Sequence, residues 1–283
     1  MSQYRTGALL VAASTLVWSS AGVLVRWVAV DPWTTLFWRS IFAMLGLLTY
    51  LAVRDRTLLP HGIRRLGRAG IALAVCFGAS MICFINALNL TTVAAVLIFQ
   101  AASPLFAAAL AWLLLRERVS KLKFAAILVS IAGVAVMTTG SSGRSGLAGI
   151  ILSTIMSLTF AGAIVLARVR RDVPTTEATC LATILVAFAA LPFTELSLPW
   201  RDLLLLAIFG FGQMGLALIM FAAGIRLIPA ADAGLISILE SILAPIWVWL
   251  AFGENPGGNT ILGGAIVISA VVAVALYERN RTL

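Results

Sequence analysis

Thr91–Glu117, TTVAAVLIFQAASPLFAAALAWLLLRE, and Ile228–Glu254, IPAADAGLISILESILAPIWVWLAFGE, are the two stretches whose reading decides the fold. A shift of 137 positions superposes them without a gap, so that Ser103 falls on Glu240, Pro104 on Ser241, and Arg116-Glu117 on Gly253-Glu254. Each is a long apolar run with a polar residue near its middle. A run of roughly 20 apolar residues spans about 30 Å of hydrocarbon as a helix, so both read as membrane crossings.

Working outward, the whole chain has this character. Of 283 residues, 61% are hydrophobic and 11% charged, against about 45–50% and about 25% in soluble domains. The runs are continuous and do not alternate, which excludes an outer-membrane barrel. Ten spans fit, near 6–28, 33–53, 69–89, 92–115, 121–139, 146–167, 176–195, 203–224, 230–252 and 258–277. The expected fold is all-α and integral to the membrane. Repeat one is 1–139, a Gly/Ser linker occupies 140–145, and repeat two is 146–283. The N-terminus reads as a retained first span, since its apolar run continues through Trp18 to Val25.

The net charge of +9 would suggest nucleic acid in a soluble protein. Here the basic residues lie in short connections, where they set orientation. With the N-terminus in the cytoplasm, the cytoplasmic segments hold Arg54, Arg56, Arg64, Arg65, Arg68, Arg116, Arg118, Lys121, Lys123, Arg168, Arg170 and Arg171, among others. The outer connections hold only Arg26, Arg144 and Arg201. Both termini are therefore expected in the cytoplasm. Five spans per half is an odd number, so the halves are expected to lie antiparallel. An inverted repeat places a site at the midplane between halves and can alternate its access.

Candidate site residues follow from depth. Glu240 lies near the centre of its span, where an acid costs on the order of 3 kcal/mol on insertion scales. It reads as a partner for a substrate amine, as a proton carrier, or as a hydrogen-bonded structural acid. Trp18, Ser80, Gln100, Ser103, Ser157, Gln213 and Ser237 fall at similar depth. The two glutamines either line a cavity or bond between helices. The serines either line it or pack helices, and Trp18 is a cavity wall or a packing residue. Pro104 and Pro245 each remove a helix bond and are candidate hinges or plain kinks. Arg39 is expected to pair with a carboxylate or to snorkel outward. Asp232, Glu177, Arg116, Glu117 and Glu254 read as charges at span ends.

Enzyme chemistry lacks its parts. The single histidine, His61, is in a cytoplasmic connection, and no HExxH, paired acidic motif or P-loop occurs. Cys76, Cys83 and Cys180 all lie in apolar runs and read as packing residues. No cofactor and no metal are expected.

These residues resemble the EamA type of the drug/metabolite transporter superfamily. The resemblance is carried by Leu16–Gly22 (LVWSSAG), Phe37–Ser40 (FWRS), Ala102–Pro104, Leu113–Glu117, Leu239-Glu240 and Phe252–Glu254. It implies ten helices and a central cavity lined largely by the third, fourth, eighth and ninth spans. It also implies export of small metabolites such as amino acids, and the expected location is the cell inner membrane. Two positions depart from the family pattern: Ser241 stands where proline often follows the acid, and Arg116 stands where glycine precedes the first terminal Glu. The expected partners are a small-molecule substrate, the lipid bilayer and protons, with no nucleic acid, in a monomer or homodimer. A multidrug or organic-cation effluxer is the alternative within transport. A membrane scaffold or lipid-modifying enzyme is the alternative outside it.

Overall fold

A computed structural model describes residues 2–54, 66–116, 121–138, 146–170, 172–228 and 230–282. His61, Glu117 and the expected linker at 140–145 lie outside the described residues. Helices account for nearly all of the described residues, and no strand occurs among them.

In chain order the first half contains α1 (Ser2–Ser19), α2 (Ala21–Trp27), α3 (Pro32–Arg54), α4 (Gly67–Leu90), α5 (Val93–Ala101), α6 (Ser103–Leu115) and α7 (Lys121–Thr138). The second contains α8 (Leu147–Val169), α9 (Thr175–Ala190), α10 (Trp200–Ala207), a π-helical segment (Ile208–Leu216), α11 (Ala217–Gly224), α12 (Ala230–Ser237), α13 (Leu239–Phe252) and α14 (Gly258–Thr282).

Seven helical stretches among the described residues are long and apolar enough to cross a membrane, with α1–α2 running as one and α10, the π-helical segment and α11 as another, and the bent pair α5–α6 makes an eighth. Two further expected spans correspond to shorter apolar helices, Phe124–Gly133 within α7, and α13. Local sequence sets the ends. Asp31 accepts the backbone N–H groups of Trp33 and Thr34 at 2.8 and 3.1 Å, opening α3 just before Pro32. The Thr92 hydroxyl accepts Ala95 N–H at 3.3 Å and opens α5. Hydroxyls inside the spans mostly bond back to their own helix, as Thr15 does to Val11 and Ser153 to Gly149. No backbone or side-chain polar group can be left to hydrocarbon without cost.

The 137-residue shift reappears in backbone detail. Val93 and Ala230 open the two focal spans, and Leu115 and Phe252 close them. Both terminate in a left-handed residue at the matching position, Arg116 with φ 54° and Gly253 with φ 66°. Both are also broken midway, at Ala102 and at Ile238, one repeat position apart. The first break bends the span by 42°. Helix pairing follows the same exchange. α4 packs on α8 as α11 packs on α1, and α9 packs on α4 as α3 packs on the π-helical segment. The self-matched pairs are α3 with α9, α5 with α13, and α7 with α14.

The core centres on α5. Every residue from Val93 to Phe99 is buried, enclosed by α4, α8, α13 and α14. A helix apolar on all sides is one surrounded by protein. Glycine allows the closest approaches between the spans. A Cβ on Gly210 would stand 2.3 Å from the Arg39 carbonyl oxygen, so the π-helical segment lies backbone to backbone on α3.

Candidate functional site at the two helix breaks

The breaks bring polar groups together. Gln100 ends α5 just before Ala102, and Glu240 lies in the first turn of α13 just after Ile238. Because α5 packs on α13, the Gln100 Nε2 amide donates to Glu240 Oε1 at 3.1 Å. Glu240 is 9% exposed, and no basic side chain pairs with it among the described residues. The first turn of a helix favours negative charge. Ser241, next to the acid, donates its hydroxyl to the Leu97 carbonyl on α5 at 3.2 Å. Ser157 on α8 donates to the neighbouring Phe99 carbonyl at 2.6 Å. Two elements, α8 and α13, thus converge on the last turns of α5.

A second polar group forms where α1, α3 and the π-helical segment meet. Gln213 sits within that segment and donates Nε2 to the Trp18 carbonyl at 3.1 Å. That carbonyl lies in the last turn of α1, ahead of its break at Ser20. The other end of the Gln213 amide accepts from Arg39 Nη2 at 3.5 Å. Among the described residues no carboxylate pairs with Arg39, and its side chain is buried instead of snorkelling outward. It is 6% exposed, and its guanidinium carbon lies 4.4 Å from the centre of the Phe209 ring. A π-helical stretch inside an α-helix often marks a functional site.

Trp247 reaches from α13 to α1. Its indole N–H donates to Ser19 Oγ, beside Trp18, at 3.0 Å. It lies two turns along α13 from Glu240. The Trp18 ring itself packs on Phe221 with centroids 5.0 Å apart.

Other expected site residues stand apart. Ser103 is fully buried and its hydroxyl has no partner. Ser80 is buried on α4, and Ser237 bonds back to Ala233 at 2.9 Å. Pro104 occupies the first turn of α6, directly after the break at Ala102. Pro245 lies within α13, which continues through it. Among the described residues no His, Cys, Asp and Glu side chains cluster as a metal site.

One constellation is not apparent from span depth. Arg26, at the end of α2, pairs through Nε with Glu254 Oε2 at 3.0 Å. The same guanidinium donates to the Leu88 and Thr91 carbonyls that end α4. The other carboxylate oxygen of Glu254 accepts Val93 N–H at 3.0 Å, at the start of α5. The ends of α2, α4, α5 and α13 are tied at one point. Arg26 being one of the few basic residues in the connections expected on the outer side is the sequence signal that marks it.

A solved crystal structure of another protein superposes with a TM-score of 0.69 at 18% identity, covering 97% of each chain. At that identity the likeness speaks for the fold. No curated protein matches. Residues 5–139 and 147–276 each match the description "EamA-like transporter family", one match for each half. The chain belongs to the EamA-like transporter family.

Proposed function

We propose that this protein exports small organic metabolites, with amino acids as the leading class, across the inner membrane by alternating access. In this reading ten spans form two antiparallel five-helix repeats, 1–139 and 146–283, with both termini in the cytoplasm. The substrate occupies the midplane between the breaks in the focal spans. The observation that carries the reading is the Gln100–Glu240 pair: a buried acid held by a neutral amide, at the junction of two broken helices. Broken helices at mid-membrane provide polar groups where a solute must be bound. An acid without a basic partner is suited to receive a substrate ammonium or a coupling proton. Glu240 is assigned that role, with Gln100 orienting it. Trp18 and Gln213 line the route on the α1 side, and Ser157 supports α5.

The test is efflux of labelled amino acids from proteoliposomes containing purified protein. Saturable flux above protein-free vesicles is expected. Absence of flux for every amino acid supplied would overturn the assignment. Glu240 also favours a second reading, an organic-cation effluxer, because a buried carboxylate suits any lipophilic cation. Competition separates the two. Inhibition by neutral amino acids supports the first reading, and inhibition by hydrophobic cations alone supports the second.

A further inference from the structure

The transport reading uses one buried charge, and the membrane core holds another. Arg39 lies on α3, 6% exposed, with no acidic side chain paired to it among the described residues. An ion in hydrocarbon surroundings is costly unless its charge and its N–H groups are met. Here they are barely met. The Nη2 contact to Gln213 Oε1 is 3.5 Å, at the far limit of a hydrogen bond. The Nε–H has no partner at all. The Phe209 ring covers one face of the guanidinium and supplies no acceptor in its plane.

The unfilled edge has a particular shape. Nε and Nη2 lie on one side of the guanidinium and present two parallel N–H donors, the geometry that takes both oxygens of a carboxylate. The same protein uses this edge elsewhere. Arg170 holds Asp172 through Nε at 3.0 Å and Nη2 at 2.9 Å. At Arg39 the equivalent pair of donors meets a single, distant amide oxygen. The protein contributes half of a bidentate pair and keeps it in place. Gly210, which tolerates no Cβ beside the Arg39 carbonyl, and Phe209 fix the backbone and ring around it.

We infer that Arg39 is a carboxylate-binding site for the transported solute, with Gln213 as the neutral acceptor that the solute carboxylate displaces. This rests on the exporter reading and sharpens its substrate class. Glu240 and Arg39, an acid and a base, are both buried and are each bonded to a glutamine instead of to each other. The pattern suits a solute bearing both an ammonium and a carboxylate. Trp247, two turns along α13 from Glu240, bonds the Ser19 hydroxyl next to the Trp18 carbonyl that Gln213 bonds.

The test is ligand-dependent thermal stability of the detergent-solubilised full chain, read by tryptophan fluorescence. Three probes are compared: leucine, isocaproate (leucine without its amine) and isoamylamine (leucine without its carboxylate). A ligand that binds the folded state raises the melting temperature with concentration. Wild type is expected to respond to all three probes. Arg39→Gln is expected to lose the isocaproate response while keeping that to isoamylamine. Arg39→Lys, which keeps the charge without the fork, should need at least about tenfold more isocaproate for the same shift, a difference of one bidentate contact. An unchanged isocaproate response in Arg39→Gln overturns the site, as does a wild type that ignores isocaproate. If Arg39→Gln does not fold, Arg39→Lys decides alone, and an unchanged midpoint overturns the site. The readout is binding, not flux, so the site and the exporter reading fail separately.

Discussion

Gln100 and Glu240 meet across 3.1 Å although 140 residues separate them in the chain. Each stands at a break in one of the two matching spans. The breaks fall at nearly the same position of the repeat, so the contact is made by the repeat folding on itself. Everything proposed for the site depends on this pairing of an amide from the first half with an acid from the second.

Gln100→Leu removes the hydrogen bond that Glu240 accepts and leaves a buried acid without its partner. A bond to a charged group contributes about 1.5–3 kcal/mol, and the orphaned group adds its desolvation. The variant should melt several degrees below wild type in detergent. The double variant Gln100→Leu/Glu240→Leu should recover part of that loss, because no unpaired polar group remains. A double variant less stable than the single one by the full sum would contradict the pairing.

Arg26 and Glu254 make a different kind of contact. Both are 14% exposed, and together they tie the ends of α2, α4, α5 and α13. Arg26→Gln should cost about 2 kcal/mol or more, since it leaves the Glu254 carboxylate without its cation and the Leu88 and Thr91 carbonyls without the guanidinium. Glu254→Gln should cost less, because an amide oxygen still caps Val93. The charge-reversed pair Arg26→Glu/Glu254→Arg should not restore stability. A carboxylate cannot donate to the Leu88 and Thr91 carbonyls, nor a guanidinium accept Val93 N–H. Thermal melting of the four proteins checks this, and full rescue by the swap would show that charge alone matters.

The left-handed residues closing the focal spans give a pair of opposite predictions. Arg116 adopts φ 54°, a conformation that costs a side-chain-bearing residue about 1–2 kcal/mol. Arg116→Gly should therefore stabilise the protein by about 1 kcal/mol. Gly253 adopts φ 66° with open space around it, so Gly253→Ala should destabilise it by a similar amount through conformation alone. Melting temperatures moving in opposite directions are the expected result.

Gly210 packs against the α3 backbone at Arg39, and a methyl group there would sit 2.3 Å from a carbonyl oxygen. Gly210→Ala should cost about 1–3 kcal/mol by forcing α3 and the π-helical segment apart. At Gly212, where a Cβ meets nothing within 4 Å, the same change should leave the melting temperature nearly unmoved. Equal effects at the two positions would contradict the close approach.

The span pattern was legible because apolar runs and turn residues are local signals. The correspondence of Thr91–Glu117 with Ile228–Glu254 carried through to helix starts, ends and left-handed terminators. The breaks were only half legible. Pro104 marks the one at Ala102, while Ile238 has no proline or glycine beside it and is set by packing. The π-helical register around Gln213 gave no sign beyond Gly210, Gly212 and Gly215, which have other uses in membrane helices. Depth alone grouped Ser80, Ser103 and Ser237 with Glu240. Depth does not fix which way a helix faces, and in the structure these three side chains make no bond to it. Arg39 was visible as a charge within a span. Its missing partner was not, because an empty donor edge is a property of three packed helices.

The most direct measurement is uptake or efflux of a transported amino acid in proteoliposomes with an imposed pH gradient, comparing wild type with Glu240→Gln. Glu240→Gln keeps size and hydrogen bonding to Gln100 while removing charge and titration. The expected result is gradient-dependent flux in wild type, reduced by about tenfold or more in the variant and no longer responsive to the gradient, as befits loss of a buried charged partner. Equal flux from the two proteins at every gradient would contradict a role for Glu240 in binding or coupling.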